Sequence, residues 1–100
     1  MADVKNAPVR ATRRPSVAMH PGELLADELE ARDMTQGELA RAMGRSPGAV
    51  SELVRQRTRV TVDTALDLEG ALGIQAELWL NLQSRYDLVE GRKRREAKAS

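Results

Sequence analysis

The sequence predicts an all-α fold built from short helices around an aliphatic core. Apolar residues recur three and four positions apart through most of the chain, which is the period of amphipathic helices. Ser or Thr precedes several of these segments and Gly follows them, as at helix starts and ends. Phe is absent, and Trp79 and Tyr86 are the only aromatic residues, so Leu, Val, Met and Ala must fill the core. A length of 100 residues allows one domain.

The central segment, Thr35–Arg57, predicts two short helices joined by a tight turn. Thr35 is a favourable N-cap, and Glu38 three residues later completes a capping box. Gly44 can end the first helix in the left-handed conformation. Ser46 can cap the second helix, with Pro47 at its first position. The inward-facing residues would be Leu39, Ala40, Met43, Val50, Leu53 and Val54. This pattern predicts a helix-turn-helix whose second helix enters a DNA major groove.

The alternative is an ordinary pair of packed helices, and the charge pattern favours DNA binding over it. Between residues 41 and 59 there are five arginines and one acid, Glu52. The preceding segment, residues 21–38, has the opposite balance, with six acids and one arginine. The arginines are Arg41, Arg45, Arg55, Arg57 and Arg59; the acids are Glu23, Asp27, Glu28, Glu30, Asp33 and Glu38. We therefore expect a surface with one basic side, centred on the second motif helix, and one acidic side.

The composition disfavours several kinds of site. The chain has no cysteine, which rules out a disulfide, a thiol nucleophile and a thiolate metal site. No apolar run approaches the roughly 20 residues of a membrane span, and no apolar segment follows the basic N-terminal residues as in a secretory signal. We therefore expect a soluble, cytoplasmic protein. His20 is the only histidine, and its spacing from Glu23 is better explained by the start of a helix, so we expect no catalytic site, metal or cofactor.

The remaining helices flank the motif. The first should span residues 20–34, with Pro21 in its first turn and Leu24, Leu25 and Leu29 facing the core. A basic loop, residues 56–60, follows the motif. Thr61 should cap the next helix, which ends at Gly73 and directs inward Ala65, Leu66, Leu68 and Leu72.

The last helix has a wide apolar arc. Leu78, Leu82 and Tyr86 fall on one side, while Trp79 and Leu80 widen the apolar surface. This exceeds what a small core needs, which predicts a dimer interface made by Trp79, Leu80, Gln83 and Tyr86. The alternative is that Trp79 closes the core of the monomer.

Charged segments lie on both sides of the domain, which should occupy residues 20–88. Residues 1–19 have a net charge of +3 and two prolines, which predicts a flexible basic arm that contacts DNA, folds onto a protein or has no binding role. Residues 89–100 form a basic tail that either extends the last helix or frays, and that either contacts nucleic acid or is solvated.

Several of these stretches resemble HigA-type antitoxins, which are XRE-like helix-turn-helix proteins. They are HPGELL, TQGELARAMGRSPGAVSELV, RQRTRVTVDTALDLEGALG and ELWLNLQSRYDL, and the resemblance covers residues 20–88. It implies a five-helix domain of the lambda-repressor type. It also implies a homodimer on a palindromic operator in its own promoter, and a complex with a HigB toxin, a RelE-like ribonuclease.

The resemblance also implies which residues meet DNA. They are Gln36, Arg45, Ser46, Pro47, Gly48, Ser51 and Arg55, with Arg57 and Arg59 near the phosphate backbone. Residues 47–49 depart from the family, in which longer polar side chains often reach for bases there. Base contacts would therefore depend on Arg45, Ser51 and Arg55, supplemented by DNA shape.

A basic toxin would be attracted to the acidic first helix, at Asp27, Glu28 and Glu30. The alternative is that these carboxylates are the solvated face of an amphipathic helix. A stand-alone repressor without a toxin, and a helical domain that binds only proteins, are the alternative functions.

Overall fold

The computed structural model describes residues 18–99, which form five α-helices. The helices are α1 (Pro21–Ala31), α2 (Gln36–Met43), α3 (Pro47–Val54), α4 (Val62–Leu72) and α5 (Ala76–Ala99). This confirms the all-α, five-helix prediction. Among the described helices, none is long and apolar enough to cross a membrane. Of the basic arm expected over residues 1–19, all but Ala18 and Met19 lie outside the described residues.

The helix starts follow the predicted capping pattern. The Thr35 hydroxyl accepts from the Glu38 N–H at 3.0 Å, and the Glu38 carboxylate accepts from the Thr35 N–H at 2.9 Å. Ser46 and Thr61 cap α3 and α4 in the same way, each through its hydroxyl oxygen. Gly44 lies in the left-handed region, where a residue with a Cβ would be strained. The turn between α2 and α3 is therefore determined locally.

The core lies where α2 and α3 meet α1 and α4. Ala40 is buried against α3, and its small side chain lets the two motif helices pack closely. Trp79 from α5 is the largest fully buried side chain. The other core residues are Leu25, Leu29, Leu39, Met43, Val50, Leu53, Val60, Ala65, Leu68, Leu72 and Ala76.

The first turn of α1 packs against the end of α3. A Cβ on Gly22 would collide with the carbonyl oxygen of Leu53, so only glycine allows this close approach. The Gly22 N–H donates to Nδ1 of His20, the N-cap residue, at 2.9 Å. Tyr86 packs edge-on against the His20 ring, with 4.7 Å between ring centroids. Burial lowers the pKa of His20, although the negative charges of Glu23 and Asp87 act in the opposite direction. The lowered pKa favours the neutral ring, whose unprotonated Nδ1 can accept this hydrogen bond.

Two predictions about helix limits and faces were wrong. Helix α1 ends at Ala31 rather than at Met34, because Asp33 takes a left-handed conformation, with φ 55°, and the Met34 N–H bonds back to the Leu29 carbonyl. Leu66, expected to face inward, is 51% exposed. It lies at the edge of the stripe formed by its neighbours on α4, and no other helix covers it.

Helix α5 returns antiparallel to α4 and then continues beyond it. At the start of the pair, the Glu69 carboxylate accepts from the Ala76 N–H at 3.0 Å. At the far end, the buried Gln83 Oε1 accepts from the Val60 N–H, just before α4, at 2.7 Å. The helix continues to Ala99, so residues 89–99 extend it, which was the first of the two alternatives for the tail.

Candidate nucleic-acid interface

The outer face of α3 is the surface available for a DNA groove. Val50 and Leu53 fix the orientation of the helix because both are buried against its neighbours. The opposite side carries Gly48, Ser51, Glu52 and Arg55, and Gly48 and Arg55 are exposed. At the N-terminus of α3 the side chains of this face are short, so Pro47 and Gly48 would let a DNA backbone approach the helix closely. The face becomes polar and charged one turn later.

Arg45 lies in the turn before α3 and is not free. Its Nε donates to Oδ2 of Asp67 on α4 at 2.8 Å, and both side chains are about one-third exposed. This ion pair joins the motif turn to α4 across a separation of 22 residues. The remaining guanidinium nitrogens are left to donate outward. Arg45 therefore has an intramolecular role that its position in the sequence did not predict.

The loop after α3 presents two more arginines beside the helix. Helix α3 ends as a Schellman motif, in which the Arg57 N–H bonds to the Glu52 carbonyl at 2.9 Å. Gln56 provides the left-handed residue, with φ 63°. Arg57 and Arg59 are both exposed. We call this loop, residues 55–60, the arginine loop. Helix α3 and the arginine loop together make the basic face of the domain.

Helix α5 contacts that loop through Asp87 and Gln83. Asp87 Oδ2 lies 2.8 Å from Nη2 of Arg59, and its Oδ1 accepts from Nε2 of Gln83 at 2.9 Å. Gln83 in turn holds the backbone of Val60. A continuous set of hydrogen bonds therefore connects α5 to the arginine loop.

The predicted DNA-contacting residues fall around one face of the motif. Gln36 is exposed at the first position of α2, Arg45 and Ser51 are partly exposed, and the rest are exposed: Ser46, Pro47, Gly48, Arg55, Arg57 and Arg59. The Ser46 oxygen is already used to cap α3. Glu52 was not among the predicted residues, although its spacing of four from Gly48 places it on the same outer face of α3.

Two of the four residues predicted for a dimer interface are not available for one. Trp79 has no exposed surface and Gln83 is 3% exposed, because both side chains face the core of the monomer. The prediction was therefore wrong for these two, and the alternative interpretation of Trp79 holds. Leu80 packs partly against the core, and Tyr86 packs on His20. The core-facing stripe of α5 is Ala76–Trp79–Gln83, whereas Leu78 is exposed.

The acidic residues predicted to bind a toxin lie on α1. Asp27 and Glu30 are exposed and share a helix face with Glu23, at spacings of four and three. Glu28 points elsewhere and pairs with Arg32 at 3.0 Å. Within residues 18–99, no three acidic or histidine side chains come together as a metal site would require.

Comparison with known proteins assigns the family. A family model described as helix-turn-helix matches residues 25–79. Virulence-associated protein I of Dichelobacter nodosus is 43% identical over 72 residues, which cover 71% of this chain and 67% of that protein. Antitoxin HigA-1 of Vibrio cholerae is 38% identical over 92 residues, or 91% of this chain and 85% of that protein.

Solved structures agree with the sequence comparison. Pseudomonas aeruginosa antitoxin HigA, solved with the higBA promoter, superposes with a TM-score of 0.77 at 33% identity. The match covers 84% of this chain and 92% of that chain. The protein therefore belongs to the XRE-type helix-turn-helix family, in the group that includes the HigA antitoxins.

Proposed function

We propose that the protein is the antitoxin of a toxin–antitoxin pair. As a dimer it would repress its own operator, and it would neutralise a RelE-like, mRNA-cleaving toxin by binding it. The observation that carries the proposal is the basic face of α3 and residues 55–59, on a fold that superposes on a HigA antitoxin bound to promoter DNA. The acidic face of α1 supports a second, protein-binding role.

The DNA contacts divide into two kinds. Arg55 projects from the last turn of α3, where it can reach a base edge in the major groove. Arg57 and Arg59 lie on the loop beside the helix, where phosphates of the flanking backbone would pass. Glu52, on the same outer face, can accept a hydrogen bond from the amino group of a cytosine. Because the start of α3 has only Pro47, Gly48 and Ala49, base contacts should be few and DNA shape should contribute.

We expect Arg57→Gln to weaken binding to operator and random duplexes alike and to reduce the salt slope by about 0.9, as loss of one phosphate contact does. Arg55→Gln should in addition reduce the difference in binding free energy between operator and random DNA, by about 1–3 kcal/mol if Arg55 binds a guanine edge. Both effects are measured by fluorescence anisotropy across a salt series.

Arg85→Gln is the matched control, since Arg85 is exposed on the side of α5 opposite Asp87 and so away from the arginine loop. It should leave both quantities unchanged. Equal affinity of the wild type for operator and random DNA would argue against the repressor function. That result would instead favour the alternative function, a helical domain that binds only proteins.

The toxin contact is proposed from charge. A ribonuclease of this kind must approach RNA and is therefore basic, so the exposed stripe Glu23–Asp27–Glu30 would attract it. The stripe lies on α1, whereas DNA would contact α3 and the loop after it, so both partners could bind together. Co-repression by the complex requires this arrangement.

Asp27→Lys with Glu30→Lys should abolish toxin binding while keeping DNA binding. Both residues are exposed and the Glu28–Arg32 pair stays intact, so the fold should survive. The measurement is co-purification of the toxin with tagged protein from the native host, followed by calorimetry on the isolated pair. Deletion of residues 1–19 is the comparison, and we expect it to retain the toxin.

If the deletion alone abolishes the complex, the basic arm binds the toxin and the charge argument is wrong. If no small basic protein co-purifies with the wild type, the protein is a stand-alone repressor.

A further inference from the structure

The end of helix α5 is a charged surface that the functions proposed so far do not use. Helix α4 begins directly after the arginine loop and runs away from it, and α5 returns antiparallel. Asp87 meets Arg59, so α5 has come back to the level of the loop at this residue. Twelve more residues, 88–99, continue the helix, which adds about 18 Å at 1.5 Å per residue. This segment therefore projects past the loop.

One face of the projecting segment is basic, and it is the face that Asp87 shares. At 100° per residue, Arg94 and Lys98 lie within about 20° of the direction of Asp87, and Arg95 within about 80°. Asp87 points at Arg59, so Arg94 and Lys98 point to the same side of α5 as the arginine loop. An open groove runs along this face from Asp87 to Lys98.

The side chains on this face are free to bind. Within residues 18–99, neither Arg94 nor Lys98 forms an ion pair. A Cβ on Gly91 would lie 3.6 Å from Nη2 of Arg94, so the guanidinium folds back beside Gly91. Lys93, on the other side of the helix, pairs with Glu90 at 3.4 Å. The absence of a side chain at Gly91 keeps the groove open between Asp87 and Arg94.

We propose that Arg94 and Lys98 form a second DNA-backbone site, which binds phosphates next to those held by Arg57 and Arg59. This inference rests on the proposed DNA binding and extends it beyond the helix-turn-helix. Both sites are basic, and Arg94 follows Asp87, the partner of Arg59, by seven residues or about 10 Å along the helix. Phosphates, unlike bases, can be bound by such long side chains without a defined groove geometry. The second site should therefore add affinity and salt dependence without adding base preference.

The test uses two double variants. The first carries both Arg94→Gln and Lys98→Gln, and the matched control carries both Arg85→Gln and Lys93→Gln. Both variants lose two positive charges from α5, but the control residues lie on its other faces. We expect the first variant to reduce the salt slope by about 2 on operator and on random DNA, with the ratio of the two affinities unchanged. The control should keep the wild-type slope. Ethylation interference on the operator should show lost phosphate contacts in the first variant that differ from those lost in Arg57→Gln.

An unchanged salt slope, or an equal reduction in the control, would overturn the second site. Loss of the toxin complex with an unchanged slope would assign this surface to the protein partner and would also overturn it. Failure of the proposed repressor function is a separate result, because it appears in the wild type as equal affinity for operator and random duplexes.

Discussion

Gly22→Ala should destabilise the protein by about 3 kcal/mol, which is a large part of the 5–15 kcal/mol typical of a small domain. The added Cβ meets the Leu53 carbonyl oxygen, which belongs to the backbone and cannot rotate away as a side chain could. Helix α1 would have to move off the end of α3, which would loosen the His20 cap and the start of the arginine loop. Urea unfolding followed by circular dichroism gives the free energy.

Gly70→Ala is the matched control. It is the same substitution in a helix, at a position where an added Cβ meets nothing within 4 Å. Because alanine favours helix over glycine, this variant should be more stable than the wild type by about 0.5–1 kcal/mol. Equal, small effects at positions 22 and 70 would mean that α1 and α3 are not in the close contact described above.

Trp79→Ala should cost about 3–5 kcal/mol of unfolding free energy, because it removes the largest fully buried side chain and leaves a cavity. The loss should appear as reduced helicity and a lower Tm. A change of oligomeric state alone, with the Tm kept, would restore Trp79 to a dimer interface.

Leu66→Glu tests whether the proposed dimer forms through an exposed apolar surface of α4. Val62 and Leu66 are one turn apart on α4, 60% and 51% exposed, and directly follow the arginine loop. The proposed dimer would place its two α3 helices in major grooves about 34 Å apart on one side of the DNA. We expect a folded monomer by sedimentation equilibrium, with weakened operator binding. A dimer that survives Leu66→Glu would move the interface elsewhere.

Local signals in the sequence were sufficient for most helix ends. Thr35, Ser46 and Thr61 cap through their own hydroxyls, and Gly44 and Gly73 end helices because they accept positive φ. These features act over a few residues, so spacing alone predicts them.

Left-handed residues other than glycine were harder to predict. Asp33 and Gln56 adopt the same conformation without the glycine that signals it. The end of α1 was consequently placed three residues too late. At these positions the hydrogen bonds from Met34 and Arg57 back to the preceding helix fix the chain, and no single residue type indicates this.

Contacts distant in sequence account for the errors in the candidate site. Trp79 and Gln83 were both expected at a dimer interface, but both side chains face the core of the monomer. Gln83 is buried because its partner is the backbone of Val60, 23 residues earlier. Arg45 was expected to contact DNA bases, and its ion pair with Asp67 on α4 was not expected. Contacts between different parts of the chain explain both the burial of Gln83 and the ion pair of Arg45. The periodicity within one helix carries no information about such contacts.

The HPGELL stretch is one of the four that carry the family resemblance, and the structure gives its first three residues architectural roles. His20 caps α1, Pro21 occupies the first helical position, and Gly22 permits the contact with Leu53. These residues therefore form the junction of α1 and α3. They carry no information about an operator sequence or a toxin. Annotation transferred on this motif therefore describes architecture, and the biological partners must be inferred from α3, residues 55–59 and the outer face of α1.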